Sequence, residues 1–279
     1  MIIALFPNTQ VRQSRSLAVG IREFLVSQGI QVVAEDAQAE EIGATPLSKI
    51  DPEAINFMIS MGGDGTILRL MHQYDTINAP ILGINMGHLG FMADVQISDV
   101  YPSLQDLIAG AYQIEDRIML DGETLQGDHC FAINDMVVHR AGNPSLVEIS
   151  IHVNGLYLNT FEADGIIFAT PNGSTAYSLA AGGPILSPSL DAIVITPICP
   201  HTISNRPVVL TADHEIQIQY LSDYAPVEVR ADGLSSFSLA TGEVFHIRKS
   251  SKKFKLVSLL RQDYFSTLRT KLGWSGKLR

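Results

Sequence analysis

The chain has 279 residues, of which 46% are hydrophobic and 17% charged, as is typical of a globular protein with one or two domains. Its formal net charge of -10 argues against general nucleic-acid binding, and the absence of any apolar stretch near the roughly 20 residues of a membrane helix argues against a membrane protein. The two cysteines, Cys130 and Cys199, lie far apart in the sequence, so we expect a reducing cytoplasm rather than a disulfide framework or a zinc site.

The first third of the chain alternates short apolar runs with helical patterns. The apolar runs predict four strands, at 2–6, 30–35, 55–60 and 80–87. One predicted helix ends at Gly29, and a second begins near Thr66. Strands that alternate with helices indicate a parallel sheet covered by helices. We therefore predict an α/β, Rossmann-like N-terminal domain.

The rest of the chain has the period-two pattern of half-buried strands. Residues 147–161 alternate on both sides of Asn154-Gly155, which predicts a hairpin with a type I′ turn. Further strands are predicted at 215–221, 226–234, 243–250 and 254–260. One helical stretch, 174–183, interrupts them. This pattern favours a mostly β C-terminal domain of layered antiparallel sheets.

We predict two domains without a low-complexity linker between them. The first is an α/β domain at 1–105, to which the tail at 262–279 returns. The second is a β-rich domain at 106–261. The pattern changes gradually over 98–120, and the boundary between the two domains lies within this range.

The most unusual short stretch is "GGDGT" at 62–66, between a predicted strand and a predicted helix. Glycine allows positive φ angles and lets a ligand approach the backbone, and a helix N-terminus offers unpaired N–H groups to a phosphate. A carboxylate there repels phosphate unless it takes a proton or holds a cation. Asp64 is therefore either the base of a phosphoryl transfer to a hydroxyl or simply a helix N-cap, a position that aspartate favours.

Several other motifs are absent from the sequence. It has no P-loop, no G-x-G-x-x-G after the first strand, no G-x-S-x-G elbow and no H-E-x-x-H. None of the eight histidines pairs with another at metal-ligand spacing. We therefore predict no metal-ligating residues.

Five stretches together resemble the NAD kinase family. "GGDGT" is similar to a turn shared by NAD kinases, diacylglycerol and sphingosine kinases and, more distantly, phosphofructokinases. The stretches that resemble NAD kinases in particular are "GINMGHLGF" (83–91), "AINDMVVHR" (132–140), "DGIIFATPNGSTAYSLAAGGPILSP" (164–188), and "PHTISNRPVV" (200–209) with the tail "YFSTLRTKLGW". They span most of the chain from 57 to 274, so the sequence is identified as a member of this family.

The resemblance implies a role for each matching residue. Asp64 matches the aspartate that accepts the proton from the 2′-hydroxyl of the adenosine ribose of NAD. The residues that match the turn facing the ATP phosphates are Gly62, Gly63, Gly65 and Thr66. The residues that match the dinucleotide site are Asn134, Asp135, Asp164, Thr175, Ala176, Tyr177 and Asp232. From pattern alone, helix packing would account for Thr175 and Tyr177.

Two departures from the family pattern bear on the site. Asn172 stands where relatives usually carry threonine, and since asparagine is polar and suits a turn we expect little loss. Glu162 and Ala163 stand where relatives often carry arginine or glycine. A carboxylate at 162 would favour the cationic nicotinamide of NAD over neutral NADH.

The resemblance implies an ATP-dependent transferase that phosphorylates the 2′-hydroxyl of NAD to give NADP and ADP. It also implies Mg²⁺ or another divalent cation as cofactor, and self-association to a dimer or tetramer through the β-rich domain. In this family pattern the α/β domain would bind the nucleotide phosphates and the β-rich domain would bind the dinucleotide. Two alternatives remain at this point. One is a lipid kinase of the diacylglycerol type, and the other is a non-catalytic dinucleotide sensor.

Overall fold

The computed structural model describes residues 1–8, 11–87, 89–93, 95–202, 205–259, 261 and 263–274, and of Arg12 only the backbone. His88, Ile203 and Ser204, which belong to two of the family-like stretches, lie outside the described residues, as do Gln262 and 275–279 of the tail. The helices and strands are β1 (Ile2–Pro7), α1 (Arg12–Ser27), β2 (Gln31–Ala34), α2 (Asp36–Ile42), β3 (Thr45–Pro46), β4 (Phe57–Met61), α3 (Asp64–Gln73), β5 (Ile81–Asn85), β6 (Val95–Gln96), α4 (Val100–Ala109), β7 (Gln113–Thr124), β8 (His129–Ala132), β9 (Asp135–His139), β10 (Val147–Val153), β11 (Leu156–Ala163), β12 (Gly165–Ala169), α5 (Tyr177–Ala180), β13 (Ala192–Ile198), β14 (Val208–Thr211), β15 (Ile216–Tyr220), β16 (Val227–Ala231), β17 (Ser235–Leu239), β18 (Val244–Ser258) and α6 (Tyr264–Leu272).

The chain divides into two compact units. Unit 1 consists of Met1–Glu115 with Lys255–Arg279, and unit 2 is Asp116–Phe254. The last strand, β18, begins in unit 2 and ends in unit 1. The bounds predicted from the sequence for the two domains remain a prediction.

Unit 1 is built on a parallel sheet, as the alternating pattern predicted. Its strands lie in the order β5-β4-β1-β2-β3, and β5 also pairs in parallel with β6 and with Leu256 of β18. Strands β4 and β5 are buried along their whole length because helices cover them, which explains their continuous apolar sequences. Helix α1 contributes Ala18, Ile21 and Leu25 to the same core.

The strand order of unit 1 reverses at β1, which has β2 on one side and β4 on the other. In open parallel sheets, ligands bind at the carboxyl ends of the strands where the order reverses. Pro7 pairs with Met61 there, and the backbone N–H of Asn8 donates to the carbonyl of Met61 at 3.2 Å. The stretch 62–66 follows directly, so the topology places it at a favoured ligand position.

Unit 2 consists of antiparallel sheets. One has the order β14-β13-β12-β9-β16-β17, and a second includes the run β11-β10-β15-β18. Alternate side chains of both, such as Met136, Phe168, Ile149 and Phe245, form one apolar core. The predicted hairpin is confirmed: β10 and β11 flank Asn154-Gly155, whose φ angles of 49° and 76° are those of a type I′ turn.

The structure departs from the predicted elements at several places. The helix predicted over 174–183 is reduced to a 3₁₀ turn at Gly173–Thr175 and the four-residue α5, and it is followed by Gly182 at a φ of 90°. The strands predicted at 243–250 and 254–260 are one strand, β18. Helix α3 begins at Asp64 rather than near Thr66. Helices α2 and α4 were not predicted.

Candidate active site

The stretch 62–66 joins the end of β4 to the start of α3. Gly63 occupies the N-cap position, and Asp64 is the first residue of the helix. No side chain caps this helix end. The prediction that Asp64 is an N-cap is therefore wrong. The N–H groups of Thr66 and Ile67 donate to the carbonyl of Gly63, and within the described residues no side chain caps the helix.

The carboxylate of Asp64 instead binds three successive backbone N–H groups of the loop that follows β5. Its Oδ2 accepts from Phe91 at 2.7 Å, and its Oδ1 accepts from Met92 at 3.0 Å and from Ala93 at 2.9 Å. A carboxylate has about four lone-pair sites. Three are occupied here, so one acceptor site remains, on Oδ2, and the side chain is held in one orientation.

The glycines of the turn leave room for neighbouring atoms and do not adopt unusual backbone angles. Gly62, Gly63 and Gly65 are not among the residues with positive φ, so the expected need for positive φ is not met. A β-carbon on Gly62 would lie 2.3 Å from Oγ1 of Thr66. Gly63 and Gly65 are both exposed, and a β-carbon on either would meet no atom within 4 Å. Packing does not require glycine at these two positions, and the space beside the helix N-terminus stays open.

Unit 2 contains a cavity of about 750 Å³. Six of the residues that the resemblance placed at the dinucleotide site line it: Asn134, Asp135, Asp164, Ala176, Tyr177 and Asp232. Thr175 does not line it, and its hydroxyl donates to the carbonyl of Asn172 at 3.2 Å. Tyr177 is 47% exposed, so a large part of its ring is available to a ligand.

Asn134 is oriented by a buried chain of polar groups. Arg117 donates to Oδ1 of Asn172, and Nδ2 of Asn172 donates to Oδ1 of Asn134 at 2.6 Å. Because this bond uses Oδ1 of Asn134, its amide N–H₂ is the group left to face a ligand. Asn172, which departs from the family pattern, therefore helps to orient Asn134.

Asp135 and Asp232 are adjacent carboxyls in the same cavity. Asp135 is only 6% exposed. Burial, together with the charge of Asp232, raises the pKa of Asp135 from 3.8 to about 7. The carboxylate of Asp232 accepts backbone hydrogen bonds from Ile133, Asn134 and Asp135. Asp232 therefore supports the motif at 133–135 as well as lining the cavity.

The cavity also contains charged residues that the sequence reasoning missed. Arg140 forms an ion pair with Asp164 (Nε···Oδ1 2.7 Å). Glu228 contacts Nε2 of His139 at 3.1 Å and Nη2 of Arg230 at 2.9 Å. A period-two count would have found His139, Glu228 and Arg230 but not Arg140. Asp135, Val137 and His139 share one face of β9, and Glu228 and Arg230 share one face of β16.

Glu162 does not line the cavity. Its side chain is 53% exposed, and its Oε2 lies 3.8 Å from Nδ1 of His201. The predicted contact between this carboxylate and the nicotinamide therefore has no support in the geometry of unit 2.

The described residues lack two further features that would bear on function. No group of three or more His, Cys, Asp or Glu side chains among them could hold a metal ion. No helix in the described part of the chain is long and apolar enough to cross a membrane.

Comparison with known proteins gives full-length matches. Residues 3–112 match the model of the ATP-NAD kinase N-terminal domain, and 133–259 match that of the ATP-NAD kinase C-terminal domain. The chain is 58% identical over 278 residues to the NAD kinase of Protochlamydia amoebophila, covering 100% of both chains.

Two solved structures resemble the fold. Yeast NADH kinase complexed with NADH has a TM-score of 0.90 at 26% identity, covering 100% of this chain and 89% of that one. An NAD kinase from Archaeoglobus fulgidus in complex with ATP has a TM-score of 0.76 at 25% identity, covering 98% and 99%.

Proposed function

Since the chain belongs to the NAD kinase family, we propose that it uses Asp64 as the base in transferring the γ-phosphoryl group of ATP to the 2′-hydroxyl of the adenosine ribose of NAD. The products are NADP and ADP. Family membership favours this reaction over lipid phosphorylation, and a carboxylate with a free acceptor site favours catalysis over dinucleotide sensing.

The contacts of Asp64 support this role most directly. Phe91, Met92 and Ala93 fix its carboxylate and leave one acceptor site on Oδ2. A sugar hydroxyl is too weak an acid to ionise at neutral pH, so its attack on phosphorus needs a positioned proton acceptor. We assign that function to Oδ2, which would take the hydroxyl proton as the bond to phosphorus forms.

The turn before α3 is suited to the phosphates of ATP. The exposed positions Gly63 and Gly65 leave room beside the N-terminus of α3, where the helix dipole favours negative charge. Thr66 lies on the same turn and offers a hydroxyl group to the phosphates. This hydroxyl accepts a hydrogen bond from Nη2 of Arg69 at 3.4 Å. Phosphoryl transfer depends mainly on such positioning and charge stabilisation.

The cavity of unit 2 is suited to the dinucleotide. Asn134 offers an amide donor, Asp135 and Asp164 offer carboxyl groups, and Tyr177 offers an aromatic face for a base. A volume of about 750 Å³ is in the range of small-molecule sites. We assign NAD to this cavity.

Mg²⁺ is proposed to arrive with ATP. The described residues contain no metal-ligand cluster, so the protein would hold the ion through the nucleotide's own phosphate oxygens. Bound there, the ion would offset the charge of the triphosphate.

We also propose self-association to a dimer or tetramer in a reducing cytoplasm. Leu156 and Tyr157, at the tip of the β10–β11 hairpin, are 75% and 61% exposed. Both cysteines are free, as in proteins of reducing compartments. Sedimentation of the wild type and of Leu156→Ser with Tyr157→Ser would test the role of this hairpin.

The test of the function is a direct assay. Purified protein is incubated with NAD, ATP and Mg²⁺, and the products are separated to look for NADP. Diacylglycerol replaces NAD in a parallel reaction. Formation of NADP but no phosphatidate is expected, whereas tight NAD binding without turnover would identify a sensor.

A further inference from the structure

Asp232 lies in a backbone conformation that few residues adopt. It follows β16 in the turn Asp232-Gly233, and its φ of 51° is in the left-handed region. Aspartate and asparagine tolerate this region better than most other residues. The conformation points the carboxylate of Asp232 back toward the strand that carries the Asn134-Asp135 pair.

The carboxylate of Asp232 binds three successive N–H groups. Oδ1 accepts from Asn134 at 2.7 Å and from Asp135 at 3.1 Å, and Oδ2 accepts from Ile133 at 2.8 Å. In the opposite direction, the N–H of Asp232 donates to the carbonyl of Asp135 at 2.9 Å. Four hydrogen bonds thus fix the backbone on which both cavity residues stand.

The same contacts place a negative charge beside a second, buried carboxyl. Asp135 is 6% exposed, and among the described residues no hydrogen bond to its carboxyl group offsets this burial. An ionised carboxylate without donors is poorly solvated, and a neighbouring carboxylate disfavours it further. Burial first, and the charge of Asp232 second, raise the pKa of Asp135 to about 7.

The other charged groups of the cavity are already engaged. Nδ1 of His139 accepts from the N–H of Ala141 at 3.1 Å, which fixes a neutral ring, and burial lowers the pKa of His139. Arg140 pairs with Asp164, and Arg230 pairs with Glu228. Arg117 donates to Asn172, and Tyr177 lines the cavity. The last titratable group near the pair is the Cys130 thiol, and burial raises its pKa to about 12.

We propose that Asp232 is a positioning residue that fixes the backbone of Asn134 and Asp135 and, through its charge, keeps Asp135 protonated, so that NAD binds to the enzyme with a neutral Asp135. This inference rests on the assignment of the cavity to NAD. NAD carries two phosphate charges against one cationic nicotinamide, and it displaces water from the cavity, so its binding disfavours an ionised Asp135. Affinity for NAD therefore falls as Asp135 ionises.

The experiment measures the dissociation constant of NAD by calorimetry from weakly acidic to weakly alkaline pH. For the wild type, the constant should be flat at low pH and rise by up to about tenfold per pH unit above the midpoint. Asp232→Asn removes the charge and keeps the left-handed turn. Its amide oxygen can still accept from Asn134 and Asp135, while its N–H₂ group faces the N–H of Ile133. Its midpoint should move to lower pH by about one unit.

Two further variants separate charge from structure. Asp135→Asn imitates the neutral carboxyl, so its affinity should equal the low-pH value of the wild type at every pH. Asp213→Asn removes a carboxylate from an exposed turn of the same unit and should leave the midpoint unchanged. Should Asp232→Asn fail to fold, the dependence of the NAD dissociation constant on pH in Asp135→Asn still tests whether NAD binds to a neutral Asp135.

The outcomes distinguish this inference from the proposed function. Binding of NAD with the same midpoint in wild type and Asp232→Asn, or a pH-dependent profile in Asp135→Asn, overturns the inference alone. Absence of NAD binding at every pH overturns the assignment of the cavity. The carboxyl ¹³C resonance of Asp135, titrated without NAD, then decides independently whether Asp232 shifts its ionisation.

Discussion

Gly90 leaves the room that the carboxylate of Asp64 occupies: a β-carbon on Gly90 would lie 2.0 Å from Oδ1 of Asp64. The three N–H groups that bind Asp64 follow directly, at 91–93. This close approach, together with those bonds, determines the direction of the remaining acceptor site.

Gly90→Ala should displace the Asp64 carboxylate and lower kcat by about a hundredfold, because a shift of about 1 Å in a catalytic group has effects of that size. The NAD dissociation constant should change little, since the cavity residues are untouched. Gly87→Ala, in the same loop, adds a β-carbon that meets no atom within 4 Å and serves as the control. Equal kcat values for the two variants would contradict the proposed positioning.

Asp64→Asn should lower kcat by at least about a hundredfold, because it removes the proton acceptor. Its N–H₂ group would also face backbone N–H donors, so a modest loss of thermal stability is expected. The control is Asp263→Asn at a true helix N-cap, where Asp263 accepts from the N–H of Ser266 at 2.9 Å. Near-normal turnover by Asp64→Asn would show that the base is another residue.

Gly65→Ala should raise the KM for ATP without lowering the melting temperature. Alanine favours a helix by up to about 1 kcal/mol over glycine, and its β-carbon meets no protein atom within 4 Å here. Gly62→Ala is the contrasting variant, since its β-carbon would clash with Thr66 and lower stability. An unchanged KM for ATP in Gly65→Ala would argue against phosphate binding at this turn.

Asp135→Asn should stabilise the protein at alkaline pH. The folded state raises the pKa of Asp135 from 3.8 to about 7, so between these values the folded protein holds a proton that the unfolded chain releases. Wild-type stability therefore falls as pH rises through this window, by at most about 4 kcal/mol. Melting temperatures of the two proteins should coincide near pH 4 and diverge toward pH 8; a constant difference would refute the shift.

Excess chelator should abolish turnover while leaving the melting temperature of the nucleotide-free protein unchanged. The described residues provide no cluster for a structural ion, so the metal requirement should belong to ATP. Adding Mg²⁺ back should restore activity. A melting temperature that falls in chelator would reveal a metal bound by the protein itself.

The periodicities predicted the two kinds of sheet because burial on one or both faces leaves a pattern in the sequence. The Asn154-Gly155 turn was equally readable, since few residue pairs accept two positive φ angles. Asp232-Gly233, with φ angles of 51° and 68°, forms a similar turn that the sequence reading included in a strand. Local turn chemistry could have found it.

The partners of the site carboxylates could not be predicted. Asp64 binds N–H groups 27 to 29 positions away, and Asp232 binds groups 97 to 99 positions away. Backbone donors have no residue signature, so only the folded chain reveals them. Asn172 was judged a harmless replacement for the same reason, because its contacts with Arg117 and Asn134 bridge distant segments.

The return of the tail to unit 1 has a consequence for how the protein is made. The ring of Tyr264 in α6 contacts that of Phe91 at a tilt of 45°, with 6.1 Å between the ring centroids, and Nζ of Lys271 lies 5.2 Å from the centroid of Phe91. Phe91 donates one of the N–H groups that hold Asp64. The ribosome adds Tyr264 and Lys271 to the chain some 170 residues after Phe91. We therefore expect nascent chains to stay inactive until release, and products of premature termination before α6 to bind NAD without phosphorylating it.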